Sequence, residues 1–333
     1  MVEVSIADED DIEKWNSYVD RSPQGNAFHY DEALAVIADH SGTDCHRLIG
    51  YKGQEVVGLF PVFERGTLGQ SVAFSPPPNL LIPYLGPALL NIEKLKRRKA
   101  ERRHGRFVRG CFERLFEEVS PRYVSLRTDG RYADLRPIKW TGFDVTPDYT
   151  YTVDLTVGEE ELLASFSSDA RSNVRSGEEI EYTVEEGGEE AIRRIVTQMI
   201  ERHEAQEVFY GITPEFVTDL YRSLPEDRCR PYSISVDGAF VGGMVTLEDD
   251  DTIYRWQGGA KHDADVSAND LLDWGIMTDA MDRGIETYDL VGASNPRLNG
   301  YKAKFSPDLR TFHNAERASP AMKLAAEAYK RLR

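Results

Sequence analysis

The chain predicts an α+β protein built from two copies of one mixed unit, and three observations carry that prediction. Its 333 residues exceed what a single hydrophobic core normally serves, so two domains are expected. A hydrophobic content of 41% with 16 scattered prolines fits a globular chain rather than a disordered one. A hairpin pattern recurs at a constant offset of 185, placing Gly53 on Gly238, Val56 on Val241 and Gly58 on Gly243. Each copy reads as strand, tight turn (Lys52-Gly53 and Asp237-Gly238), strand, with apolar residues alternating on both sides. An Asp-Gly hairpin alone is common; its recurrence with helices before and after indicates duplication.

Taken in order, the first half predicts helices near 9–20 and 29–39 and strands near 45–51, 55–64 and 70–75. Ser75-Pro76-Pro77-Pro78-Asn79 reads as a loop, because consecutive prolines supply no ladder donors. A basic run, Lys94 to Arg106, then precedes a helix near 105–119 whose apolar face is Phe107, Val108, Cys111, Phe112, Leu115 and Phe116. A strand near 122–127 follows, and the domain boundary falls near 145–155, giving domains 1–150 and 151–333. The second half predicts helices near 158–167, 169–178, 188–206 and 213–223, then strands near 231–237, 241–248 and 251–258. A helix over 269–283 places Leu271, Leu272, Gly275, Ile276, Ala280 and Met281 on one face, with Asp273 and Asp279 off it. Gly284 sits where a helix end takes a left-handed residue, and strand 286–291 ends at Gly292. A strand near 309–314 and a terminal helix near 319–332 complete the expectation.

Formal charge is −17, from 57 acids against 40 bases, and only 11 of those bases are Lys. Acid excess with scarce Lys points to a salt-rich cytoplasm, where carboxylates hold a hydrated surface; an acidic mesophilic protein is the alternative. Such a charge repels nucleic acid and anionic membranes except at a local basic patch, and Lys94–Arg106 is one, with eight bases and one acid. That run reads either as a solvated charged segment or as a phosphate site for a nucleotide-linked or lipid-diphosphate acceptor, or for a tRNA acceptor stem. Cys45, Cys111 and Cys229 lie far apart and fit a reducing cytosol. The acidic N-terminus is unlike a secretory signal. The longest apolar run, Asn79 to Leu90, carries Pro83 and Pro87 and is too short to span a membrane.

Most fold-independent catalytic signatures are missing. There is no phosphate loop, G-x-G-x-x-G, G-x-S-x-G or H-E-x-x-H motif, and no Cys/His pairing has zinc spacing. Metal-dependent catalysis and hydride transfer are therefore not expected. Acyl transfer to an amine needs less machinery: an aligned activated acyl group, a neutral amine, and donors where negative charge develops.

The stretch from Asn269 to Phe305 supplies the sharper clue. It runs helix, Gly-Ile break, strand, and then Asn299-Gly300-Tyr301-Lys302-Ala303-Lys304-Phe305-Ser306. This resembles the C-terminal signature of the Fem-type acyltransferases, the aminoacyl-transferring branch of the GNAT superfamily, and of the related BioF2-like acetyltransferase domains. In that family the element closes as Phe-Lys-x-x-Phe-Gly; here Ser306 stands for Gly. Asp148–Leu155 resembles the family strand that enters the second domain, and Arg171-Ser172-Asn173-Val174-Arg175 its R-x-x-φ-R helix. The likeness covers residues 140 to 306 best.

The resemblance implies tandem GNAT-like domains, each a mixed sheet flanked by helices, and an acyl or aminoacyl transfer to the amine of a larger acceptor. It implies no tightly bound cofactor, with acyl-CoA or aminoacyl-tRNA as co-substrate. The acetyl-CoA loop usual before the GNAT helix is replaced by KHDADVSA over Lys261–Ala268, so the donor stays open between the two. A non-catalytic pair binding a nucleotide-linked or polymeric ligand is the rival reading.

Carried over residue by residue, Lys302 stabilises an oxyanion or a substrate phosphate; alternatively it is a surface lysine beside Lys304. Asp289, at the end of its strand, orients Lys302 or accepts an amine proton, or else caps the following turn. Arg171 and Arg175, four apart on one helical face, clamp a phosphate or carboxylate or pair with Glu178 and Glu179. Tyr254 and Trp256 share one face of a central strand and line the acceptor cleft or pack in the core. Asn269 opens the helix that receives phosphate in GNAT domains. Tyr84, in Tyr84-Leu85-Gly86-Pro87, resembles a family loop that approaches a ligand, or is a plain turn.

Overall fold

The computed structural model describes residues 1–67, 70–177, 179–260, 267–318 and 322. The chain divides into two compact units, Met1–Pro147 with the stretch from Phe312 onward, and Asp148–Thr311.

The first unit runs β1 (Glu3–Ile6), α1 (Glu9–Val19), α2 (Asp31–Ser41), β2 (Asp44–Lys52), β3 (Glu55–Thr67), β4 (Gln70–Ser75), β5 (Ala88–Leu89), α3 (Arg97–Glu118), β6 (Tyr123–Thr128) and α4 (Arg136–Trp140). The second takes β7 (Asp144–Asp154), α5 (Glu159–Ser165), α6 (Ser168–Gly177), β8 (Tyr182–Glu186), α7 (Glu189–Glu204), α8 (Pro214–Ser223), β9 (Cys229–Val236), β10 (Ala239–Glu248), β11 (Thr252–Ala260), α9 (Ala268–Asp282), β12 (Thr287–Asp289) and α10 (Pro296–Lys302). β13 (Asp308–Ala318) then pairs with β6 of the first unit over His313–Ala318.

The duplication expected from the hairpins extends to whole sheets. In the first unit the strand order is β1-β2-β3-β4-β6-β13, with β5 added beside β3; in the second it is β8-β9-β10-β11-β12-β7. Each sheet contains one parallel pair, β4 with β6 and β11 with β12, inside an otherwise antiparallel ladder. Both hairpin turns form where expected. Asp237 and Gly238 take φ of 50° and 73°, the twisted two-residue turn that Asp-Gly favours, and Gly53 takes 65°. The repeated glycine of the second strand has a packing reason. A Cβ on Gly58 would lie 2.6 Å from the Phe107 ring, and one on Gly243 2.4 Å from the Tyr232 carbonyl oxygen.

Two cores follow from the apolar faces. Phe107, Val108, Cys111, Phe112 and Leu115 of α3 cover Leu48, Val57, Phe60 and Leu126. Leu271, Leu272, Ile276, Met277 and Ala280 of α9 cover Ile234, Met244 and Ile253.

The structure departs from the sequence expectation in several places. The basic run does not precede the helix of residues 105–119; it forms its first turns, from Arg97. Arg and Lys are good helix formers, and Arg97 pairs with Glu101 one turn on, at 2.9 Å. Residues 312–318, expected in the second domain, belong to the first unit's sheet. β1, β8, α4 and α10 were not anticipated. Asp273 is not on an exposed face but fully buried. Apart from Met322, the expected helix over 319–332 lies outside the described residues, as do Lys261–Val266 and Glu178. No described helix is long and apolar enough to cross a membrane.

Candidate active site

In the second unit β11 and β12 part company. They pair in parallel only over Thr252–Tyr254 and Thr287–Asp289, while β11 runs on to Ala260 against β10. Beyond Asp289 the chain turns away through Val291 and Gly292, both left-handed at φ 52° and 87°. The edge of β11 from Arg255 to Ala260 is left without β12 as its ladder partner.

At the far end of that edge stands the start of α9. Asn269 Oδ1 accepts the Ala260 N–H at 2.8 Å, and Arg202 of α7 donates to the Ala260 carbonyl at 2.5 Å. A Cβ on Gly259 would lie 3.3 Å from Arg202 Nη1 and 3.4 Å from Asn269 Oδ1. A cation and the electropositive end of a 15-residue helix therefore converge on one glycine.

At the near end stands Lys302, the last residue of α10. Asn295 caps this helix by accepting the Arg297 N–H, and Pro296 follows it. Lys302 is only 6% exposed, so it is not the surface lysine of the alternative reading. Its Nζ donates to the carbonyl oxygens of Val291 at 2.8 Å and Gly292 at 2.7 Å. Burial, followed by the charge of Arg255, pulls the ammonium from its ordinary 10.5 to about 8, against the attraction of Asp289 and Asp273.

Asp289 shapes the turn that holds this amine. Its Oδ1 accepts the Thr150 hydroxyl at 2.6 Å and the Val291 N–H at 2.7 Å, while Thr150 Oγ1 accepts the Gly292 N–H at 2.9 Å. It is thus a turn cap, and acts on Lys302 through charge and through the carbonyls it aims.

A cluster that sequence reasoning missed lies behind Lys302. The buried Asp273 carboxylate accepts from Arg255 Nε at 2.7 Å, from the Tyr288 hydroxyl at 2.5 Å and from the Tyr301 hydroxyl. Arg255 also stands over the Tyr301 ring, 5.7 Å from its centroid. Burial works against the Arg255 charge, but Asp273 and the two phenols outweigh it and its pKa is raised. Burial, reinforced by Asp273, drives both phenols upward. Beside them Lys304 pairs with Asp169 at 3.1 Å and Asp270 at 3.5 Å, and Asn173 donates to Asp270 at 2.5 Å. The sequence signal was an arginine inside a central strand and two acids, Asp270 and Asp273, one turn apart on the helix opposite.

The remaining candidates have other work. Arg171 Nη1 donates to the carbonyls of Ala164 and Phe166, at 2.7 and 2.9 Å, closing the end of α5. Arg175 is exposed on α6. Tyr254 is buried and donates to Asp249 at 2.7 Å, and Trp256 packs edge-on against Phe216. Both take the core-packing alternative. Tyr84 lies in the first unit, buried edge-on against Phe312 at 5.1 Å. The structure therefore brings together Lys302 and Asp289, places Asn269 at the other end of the β11 edge, and puts Tyr84 in the other unit.

Comparisons with known proteins come to the same region. Residues 164–303 match the acetyltransferase (GNAT) domain family. Over the whole chain the fold is similar to that of FemX, at 14% identity and a TM-score of 0.73, covering 93% of this chain and 96% of that one. It is also similar to the C-terminal domain of a putative lysylphosphatidylglycerol synthetase from Agrobacterium fabrum, at 15% identity and a TM-score of 0.57, covering 96% and 95%. L-PGS from Bacillus licheniformis is similar at 11% identity and a TM-score of 0.57, covering 98% of each chain. No curated protein sequence matches the chain. Residues 164–303 thus match the acetyltransferase (GNAT) domain family, in a two-unit chain whose fold is similar to that of FemX.

Proposed function

We propose that the second unit is an N-acyltransferase that passes an acyl group directly from an acyl-CoA thioester to an amine. The observation that carries the reading is the edge of β11 beyond Tyr254, which β12 leaves and which ends at Asn269 and Arg202. A pantetheine arm adds to that edge as an extra strand, through its amides. Its diphosphate meets the α9 N-terminus and the Arg202 guanidinium.

Chemistry then takes place between that edge and Lys302. The neutral amine attacks the thioester carbon, and charge builds on the carbonyl oxygen. Collapse expels the CoA thiolate, which leaves as the thiol with the proton lost by the amine. Two N–H bonds of the Lys302 ammonium are committed to carbonyls and the third is left for the oxyanion, in a site where water screens little.

The first unit offers a separate surface suited to an anion. Arg98, Arg102, Arg106 and Arg109 form an exposed stripe on α3 spaced i, i+4, i+8 and i+11. The stripe runs about 16 Å along the helix, and no described carboxylate pairs with it. Residues 94–109 hold nine bases and one acid, so the rest of the chain carries −25 of the −17 total. Phosphates suit guanidiniums so arrayed.

Thermal shift and thiol release test the donor. Acetyl-CoA and longer acyl-CoAs are expected to raise Tm, with Arg202→Ala and Asn269→Ala each weakening binding about tenfold, or about 1.4 kcal/mol. Stabilisation by an aminoacyl-tRNA in place of every acyl-CoA tested would overturn the choice of donor.

A further inference from the structure

We infer that Asp273 is the positioning residue for the Lys302 amine, acting through Tyr301 on one side and Arg255 on the other. The inference rests on the reading of Lys302 given above and adds the device that holds it.

The geometry has two arms. Tyr301 precedes Lys302 in α10, and its hydroxyl is bonded to Asp273 while its ring packs edge-on against Phe305, 5.4 Å away. This pins α10 to α9, two elements with no backbone hydrogen bond between them to set their register. On the opposite side Arg255 projects from β11 just past its pairing with β12, is bonded to the same carboxylate, and lies over the same ring. A carboxylate with no solvent exposure thereby ties the strand that would hold the donor to the helix that carries the amine. Burying an acid costs several kcal/mol unless its partners are in place. Three donors on one carboxylate leave α10 a single well-satisfied position.

The second consequence is electrostatic. The charged groups facing the Lys302 amine are Arg255 from β11, Asp289 from β12 and Asp273 from α9. Arg255 disfavours the ammonium and the two carboxylates favour it. A packing role alone would be indifferent to the sign of these neighbours; a positioning role in charge stabilisation is not.

The test follows the lysine directly, by ¹³C NMR of Lys Cε on the full chain through pH 6 to 11. The Lys302 signal is assigned by its loss in Lys302→Met. Removing the cation in Arg255→Met is expected to move the Lys302 midpoint up by about one pH unit, and Asp273→Asn to move it down by about as much. Tyr301→Phe keeps both charges and the ring, so the midpoint should stay while acetyl-CoA turnover drops about tenfold at unchanged KM. Shifts of one sign in both charge variants, or full turnover in Tyr301→Phe, would overturn the inference. Should Asp273→Asn not fold, Arg255→Met and Tyr301→Phe decide it between them. Lys302→Met separates this inference from its parent. Full turnover in Lys302→Met removes both, whereas lost turnover there with unmoved midpoints elsewhere removes Asp273 and keeps Lys302.

Discussion

Lys302 Nζ lies 2.8 Å from the carbonyl oxygen of Val291, a β-branched residue held in the left-handed region at φ 52°. That conformation costs a non-glycine residue about 1–2 kcal/mol. The turn is maintained by the Thr150–Asp289 pair, and it aims two successive carbonyls at one amine. Strain of this kind is kept where a geometry is needed.

Val291→Gly should therefore separate stability from activity. Release of the left-handed strain, less the added freedom of the unfolded chain, is expected to stabilise the fold by roughly 0.5–1 kcal/mol. Turnover should fall, because the carbonyls lose their fixed aim. Paired chemical denaturation and acetyl-CoA assays measure the two effects; a lower midpoint with intact turnover would contradict the assignment of strain.

The lowered pKa of Lys302 has a signed consequence. Between about 8 and its ordinary 10.5 the unfolded chain binds a proton here that the folded chain does not, so this residue adds stability as pH rises through that window. The whole effect is on the order of 3 kcal/mol. The wild-type protein should gain stability relative to Lys302→Met between pH 8 and pH 10.5, while turnover falls as pH passes 8 and the ammonium is lost. Parallel pH–stability curves for the two proteins would count against it.

Two histidines of the first unit follow the same sign at acid pH. Burial holds both His29 and His104 down at about 4, neutral at pH 7, with His104 Nε2 2.5 Å from the Tyr132 hydroxyl. Their stabilising contribution is complete above 6.5 and is lost as pH falls from 6.5 toward 4, up to about 3 kcal/mol for each. His104→Gln should flatten the acid limb of the stability curve, monitored by denaturant titration at pH 7, 6, 5 and 4. An unchanged acid limb would place the sensitivity elsewhere.

The arginine stripe of α3 makes a salt-dependent prediction. Inorganic polyphosphate should bind wild type, with affinity falling steeply as salt rises, and the slope should shrink in Arg98→Ala/Arg102→Ala/Arg106→Ala/Arg109→Ala. Because all four side chains are exposed, the quadruple variant should keep its melting temperature within a few degrees. Binding of polyphosphate that ignores the substitutions would remove the stripe as an anion surface.

Much of the fold was readable from local pattern. Alternation around Asp237-Gly238 gave the hairpin, and Gly284, left-handed at 79°, ends α9 as expected. α10 was hidden because the helix that follows the Asn295 cap is only seven residues long, Pro296 and Gly300 included, too few for a helical period to show. Lys302 was legible through its motif. Its supporting cluster was not, since Arg255, Tyr288 and Tyr301 meet Asp273 across 18, 15 and 28 residues, and no periodicity links such positions. Asp273 itself was misplaced because α9 is buried on more than its apolar face, and acids there are admitted only with partners.

β13 gives the chain an order of assembly. The strand that pairs with β6 is made only after the whole of Asp148–Thr311 has been synthesised. A nascent chain would thus hold the first unit with an open β6 border until β13 arrives. Emergence of residues 313–318, rather than of the first 147, would be the event that closes it.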